Sequence, residues 1–317
     1  MKTGLTLFSL GLLIIASAAF SQGKGYSWLK EDNRIALWKN DQIIWQFNFD
    51  KSADKPYFHP LRTPSGLDIT LERPADHPWH RGLWFSWKTI NGVNYWEEDP
   101  KTGLSKGRSI IRDVKYHIGK ASKPDADIKV RIDYADSSGV VLSEKRTLVI
   151  PAPENGQYMM TWQHEFTAVK DAVLYLEKPG KHGGVSWGGY AGLSYRGSDQ
   201  LKDVSFFVSS TWTNTPDLTG YGEQEKWMGV KAVNHGNKVS IVVFDHPLNP
   251  RHPSPWYIWY AKDRNLFFTP SLLFDGPMEL KKGQKLKLQY GVWIMDGWVN
   301  AVEVEKQYTR FVNPGKH

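Results

Sequence analysis

The residues best equipped for chemistry crowd into one stretch, Asp76-His77-Pro78-Trp79-His80-Arg81-Gly82-Leu83-Trp84-Phe85-Ser86-Trp87. It combines two imidazoles, a carboxylate, a guanidinium and several indoles. Pro78 fixes its own φ, so His77 and His80 are held by a stiff connector. Histidine gives and takes protons near neutral pH, which makes this pair candidate acid–base groups. Upstream, Tyr57-Phe58-His59-Pro60 adds a third imidazole. In an extended segment Tyr57 and His59 share a face.

Two further segments carry chemistry. The first runs from His182 to Arg196 and sets five glycines among Trp187, Tyr190, Tyr195 and Arg196. Glycine lets a backbone approach a ligand closely. No Gly-Lys-Ser/Thr ending follows, so this is not a phosphate loop. Arg196 offers a fork to a carboxylate. Tyr190 is a candidate proton-transfer group, provided a neighbouring cation lowers its pKa. The second segment, Asp245-His246-Pro247-Leu248-Asn249-Pro250-Arg251-His252-Pro253, follows an apolar strand and is stiffened by three prolines. Metal is the rival explanation for clustered histidines. No His-x-His or His-Glu-x-x-His spacing is present, so no metal site and no cofactor are predicted.

The bulk of the chain limits what these residues serve. The sequence has 317 residues and no cysteine, which removes disulfides and thiolate metal sites. Net charge is +7 with no basic run, so nucleic acid is not expected as a partner. A basic balance does suit an anionic ligand. There are 15 Trp, 14 Tyr and 14 Phe, more than a core alone requires. Indoles stack on sugar C–H faces while keeping one edge wet.

Residues 1–21 pair Lys2 with an apolar run ending at Ala19-Phe20-Ser21, the pattern of a signal peptide. Export to a periplasm is therefore expected, and no further run is long enough for a membrane span. Residues 22–317 read as a single domain.

The elements that must position the candidates are strands. Ile35-Ala36-Leu37-Trp38 and Ile43-Ile44-Trp45-Gln46-Phe47 flank a polar turn at Asn40-Asp41. Ile128, Val130, Ile132 and Tyr134 alternate with polar residues, as do Leu286, Leu288, Tyr290, Val292 and Ile294. One helix is predicted. Asn300 and Glu303 have capping-box spacing, and Val304, Tyr308 and Phe311 share a face. It is expected on a sheet edge. The spacing of strands and turns predicts an all-β fold, an antiparallel β-sandwich with a C-terminal helix.

The run Pro56-Tyr57-Phe58-His59-Pro60-Leu61, Asp76-His77-Pro78-Trp79-His80-Arg81-Gly82-Leu83-Trp84, Asn91-Gly92-Val93-Asn94-Tyr95-Trp96, Gly188-Gly189-Tyr190-Ala191-Gly192-Leu193 and Asp245-His246-Pro247 resembles the PmoA-like domain family. The resemblance implies a β-sandwich of the galactose-mutarotase-like kind and a setting among bacterial sugar-degradation genes. It brings no catalytic residues. The family's methane-oxygenase label does not fit a chain without membrane helices.

Together these observations predict a carbohydrate-active enzyme with an oligosaccharide substrate, of lyase or dehydratase type on an acidic sugar. His77, His80 and Tyr190 are the predicted catalytic residues. His59, Arg81, His182, Trp187, Arg196, His246, Arg251 and His252 are the predicted substrate-binding residues. An epimerase, a glycoside hydrolase and a non-catalytic sugar-binding protein are the alternatives.

Overall fold

The computed structural model describes residues 25–210, 221–261 and 264–315. The predicted signal peptide lies outside the described residues. Two eight-stranded antiparallel sheets and one small four-stranded sheet make up the fold. The front sheet runs Tyr26–Lys30, Arg34–Lys39, Gln42–Asn48, Tyr57–Leu61, Leu83–Ser86, Gly192–Arg196, Arg264–Pro270 and Trp256–Ala261, in that lateral order. The back sheet runs Lys202–Val208, Trp227–Asn234, Asn237–Asp245, Lys285–Asp296, Gln157–Ala168, Gly139–Ile150, Ala126–Asp136 and Arg108–Ile118.

Strand periodicity explains how the layers stack. Ile128, Val130 and Ile132 from the back sheet meet Leu83, Phe85, Leu193, Ile258 and Phe268 from the front sheet in one core. Successive side chains point to opposite faces. Trp84, Tyr257 and Phe267, each the neighbour of a core residue, therefore appear on the outer face of the front sheet, in a separate aromatic cluster. The predicted β-sandwich is thus the observed architecture.

The Asn40-Asp41 turn forms as predicted. Both residues adopt positive φ, 48° and 64°, the conformation a two-residue hairpin requires. The helix Ala301–Val312 begins at Asn300 with a complete capping box. The Asn300 side chain accepts from the Glu303 N–H at 3.0 Å, and Glu303 accepts from the Asn300 N–H at 3.0 Å. Its place differs from the expectation of a sheet edge. Val304, Tyr308 and Phe311 pack on Trp227, Val242, Phe244 and Trp293, so the helix covers the outer face of the back sheet. That face is apolar and would otherwise be wet, which outranks the protection of an edge.

Candidate active site

The outer face of the front sheet holds a cavity of about 250 Å³, lined by His77, His80, Trp187, Tyr190, Arg196, Tyr257, Trp259 and Phe267. Strand register sets its floor. Arg196 pairs with Phe267, and Phe267 with Trp259, so three neighbouring strands place these side chains in one row. Tyr257 stands two residues from Trp259 on the same face. Two loops build the walls.

The loop before Leu83 supplies His77 and His80. Its backbone closes two successive turns, with the His77 N–H donating to the Pro74 carbonyl at 3.1 Å and the His80 N–H to the His77 carbonyl at 2.9 Å. His77 Nδ1–H donates to Asp76 Oδ2 at 2.8 Å, which fixes the tautomer and leaves Nε2 as a proton acceptor. Asp76 in turn accepts from Arg196 Nη2 at 2.8 and 2.9 Å. Partial burial opposes the charge on Asp76, but His77 and Arg196 outweigh it and hold the carboxyl below the usual carboxylate range.

His80 is 3% exposed and sandwiched between His77, 4.6 Å between ring centroids, and Phe267, 4.9 Å. Neither of its ring nitrogens has a hydrogen-bond partner among the described residues. Burial, reinforced by the nearby charge of Arg196, pushes its pKa well below that of free imidazole, so it stays neutral. Arg196 is 1% exposed. Its Nη2 also donates to Asn265 Oδ1 at 2.9 Å, while Nε and Nη1 have no partner among the described residues. Nη2 belongs to both two-nitrogen forks of a guanidinium, so Nε and Nη1 remain as separate single donors rather than the fork the sequence suggested.

The loop 177–191 supplies Trp187 and Tyr190. Its glycines are needed because the chain folds tightly on itself. A Cβ at Gly184 would lie 1.8 Å from the Lys178 carbonyl oxygen. Tyr190 packs against Trp96, Tyr257 and Phe267. Lys88 sits 5.2 Å from its ring centre, the cation the sequence reading asked for. The expected lowering of its pKa does not follow. Lys88 is paired to Glu97 and, at 3.1 Å, to Glu177. Burial first, and then these two carboxylates, push the Tyr190 phenol up, so it holds its proton and can serve only as an acid. Trp187 is 47% and Trp259 36% exposed, leaving indole faces open at the cavity.

The other predicted residues lie elsewhere. Arg81 follows His80 but reaches into a buried charge cluster, bonded to Glu98 and, at 3.2 Å, to Glu72, with Lys55 on Glu98 at 2.9 Å. His59 meets the Thr70 hydroxyl at 3.0 Å. His182 contacts Asp275 at 2.8 Å and lines a neighbouring hollow. His246 and His252 brace their own loop, and Arg251 ties that loop to the segment 272–277. His246 Nδ1 accepts from the Leu248 N–H at 3.1 Å, His252 Nδ1 meets Asp245 at 2.8 Å, and Arg251 donates to the carbonyls of Leu272, Gly276 and Pro277. These imidazoles and guanidinium groups are engaged within the protein, and none of these residues lines the cavity. Tyr257, Trp259 and Phe267 were missed, although the alternation in Trp256-Tyr257-Ile258-Trp259-Tyr260 signals an aromatic face. Among the described residues, no group of three His, Asp or Glu side chains is placed to hold a metal ion. No helix among them is long and apolar enough to cross a membrane.

Three solved structures share the general architecture. A candidate aldose 1-epimerase from Klebsiella pneumoniae is 9% identical, with 92% of this chain and 93% of that one covered at a TM-score of 0.41. A galactose mutarotase related enzyme from Lactobacillus acidophilus is 7% identical, with 86% and 97% covered at 0.35. A polysaccharide lyase is 11% identical, with 88% of this chain but 34% of that one covered at 0.35. Likenesses this distant say nothing of the reaction. No curated protein matches the sequence. The profile that does match spans residues 27–309 and is not the PmoA-like family expected from the motifs. The chain belongs to DUF6807, a family of unknown function.

Proposed function

We propose that this protein is an exported carbohydrate-active enzyme that binds an acidic sugar and eliminates across the bond beside its carboxylate. One observation carries the reading. His80 and Arg196, both almost fully buried, line a single aromatic cavity, and among the described residues His80 Nδ1 and Nε2 and Arg196 Nε and Nη1 have no hydrogen-bond partner. Buried polar groups of native proteins are nearly always hydrogen-bonded, so a ligand rich in acceptors and donors completes this site. Indoles suit the ring faces of a sugar, and the Arg196 N–H groups suit its carboxylate.

The roles follow from the geometry. Arg196 holds the carboxylate and stabilises charge that develops on it. His77 Nε2 takes the proton from the carbon next to the carboxylate. The freed pair forms a carbon–carbon double bond, and the bond from the next carbon to the departing oxygen breaks. Tyr190, which keeps its proton, donates it to that oxygen. The cavity lining contains no facing pair of carboxylates, the usual requirement of a glycoside hydrolase.

The test is incubation with saturated and unsaturated uronate oligosaccharides, read by product mass and by ultraviolet absorbance of the new double bond. Loss of water without cleavage identifies a dehydratase, and unsaturated fragments identify a lyase. His77→Ala lowers turnover by about 10²–10⁴-fold with the fold intact. Cleavage with uptake of water, inverted configuration at unchanged mass, or binding alone would each replace the elimination reading.

A further inference from the structure

The loop 177–191 separates the active-site cavity from a second hollow of about 440 Å³, bordered by Tyr175, Lys178, Pro179, His182, Phe274 and Asp275. The two are built as neighbours. Phe274 lines the second hollow and packs in the same aromatic cluster as Tyr190 of the first. Pro179 lines the second and stands against Gly189, beside Tyr190. We propose that this hollow is a further subsite for the adjoining acidic sugar of the same substrate chain, with Lys178 as its cationic contact. The substrate is thereby an oligomer with at least two uronate units.

Three observations support that occupant. Lys178 is exposed at the hollow and has no ion-pair partner among the described residues, so its charge is available to a carboxylate. His182 is held by Asp275 at 2.8 Å, a fixed imidazole able to meet a sugar hydroxyl. The rest of the lining is chiefly apolar, with the half-buried Tyr175 ring beside the buried Phe274. A small apolar molecule would leave Lys178 and His182 unused. This inference rests on the acidic-sugar reading of the first cavity.

The experiment measures calorimetric affinity in the His77→Ala background for mono-, di- and trisaccharides of galacturonate, glucuronate and mannuronate. The expected result is a gain of an order of magnitude or more from mono- to trisaccharide, as linked units engage both hollows. Lys178→Gln, a surface change, weakens di- and trisaccharide binding about three- to fivefold and leaves monosaccharide binding unchanged. Added salt shrinks that difference. Equal effects of Lys178→Gln on all lengths, or none, overturn the second subsite alone. Arg196→Gln separates the two ideas, because it abolishes binding at every length if the first cavity recognises the carboxylate. If Arg196→Gln changes nothing, or no member of the panel binds, the acidic-sugar reading falls as well.

Discussion

At the scale of single residues, the difference between a site group and a bracing group lies in whether it lines the cavity, not in identity. His80 and His252 have the same side chain, yet one has two free nitrogens and the other is tied to Asp245. Tyr190→Phe keeps the ring packing and removes only the phenolic proton. Turnover in the uronate assay is expected to fall about 10²–10⁴-fold while thermal stability holds. His80 gives a pH prediction. Its folded pKa lies below the unfolded value of 6.5, so below that value the unfolded chain binds a proton the folded chain refuses. Stability is therefore lost as pH falls. Melting curves at about pH 7.5 and about pH 5 should show a smaller acid loss in His80→Phe than in the native chain. Sequence composition singled out His77, His80, Tyr190 and Arg196, which line one cavity, but placed His246, Arg251 and His252, which do not, beside them. All but Arg196, which ends the strand Gly192–Arg196, sit in proline- or glycine-rich loops, and no local pattern reveals that Arg251 spends its donors on three distant carbonyls.

At the scale of elements, the active site depends on how a loop enters a strand. Gly82 joins the histidine loop to Leu83–Ser86 at a φ of 75°, where a Cβ would stand 2.7 Å from the Phe58 carbonyl oxygen. Gly82→Ala is expected to cost about 1–3 kcal/mol in urea denaturation and to weaken uronate binding, because His80 and Arg81 shift with it. Strands and the helix were legible in the sequence because alternation and capping are local signals. The helix's docking surface was not, since it depends on Phe244 and Trp293, which reach the outer face only once the back sheet has formed.

At the scale of the whole molecule, the sandwich encloses charge. Glu144 accepts from Arg146 Nε at 2.7 Å, from Tyr134 at 2.6 Å and from His164 at 2.7 Å, all between the sheets. Burial opposes the charge on Glu144, yet Arg146 and His164 hold its carboxyl down to about 2. This contribution is fully present above the usual carboxyl value of 4.5 and fades as pH falls towards about 2. Glu144→Ala strands the Arg146 guanidinium, and equilibrium unfolding should register a loss of about 3–5 kcal/mol. A change below about 1 kcal/mol would mean the cluster relaxes into solvent.

The front sheet divides its labour by parity. In Gly192–Arg196, Leu193 and Tyr195 hold the two layers together while Arg196 lines the cavity. Trp84, Tyr257 and Phe267 likewise alternate with residues committed to the interior. Selection can therefore rewrite every second letter of these strands, and with it the lining of the cavity, while the letters between them keep the scaffold standing.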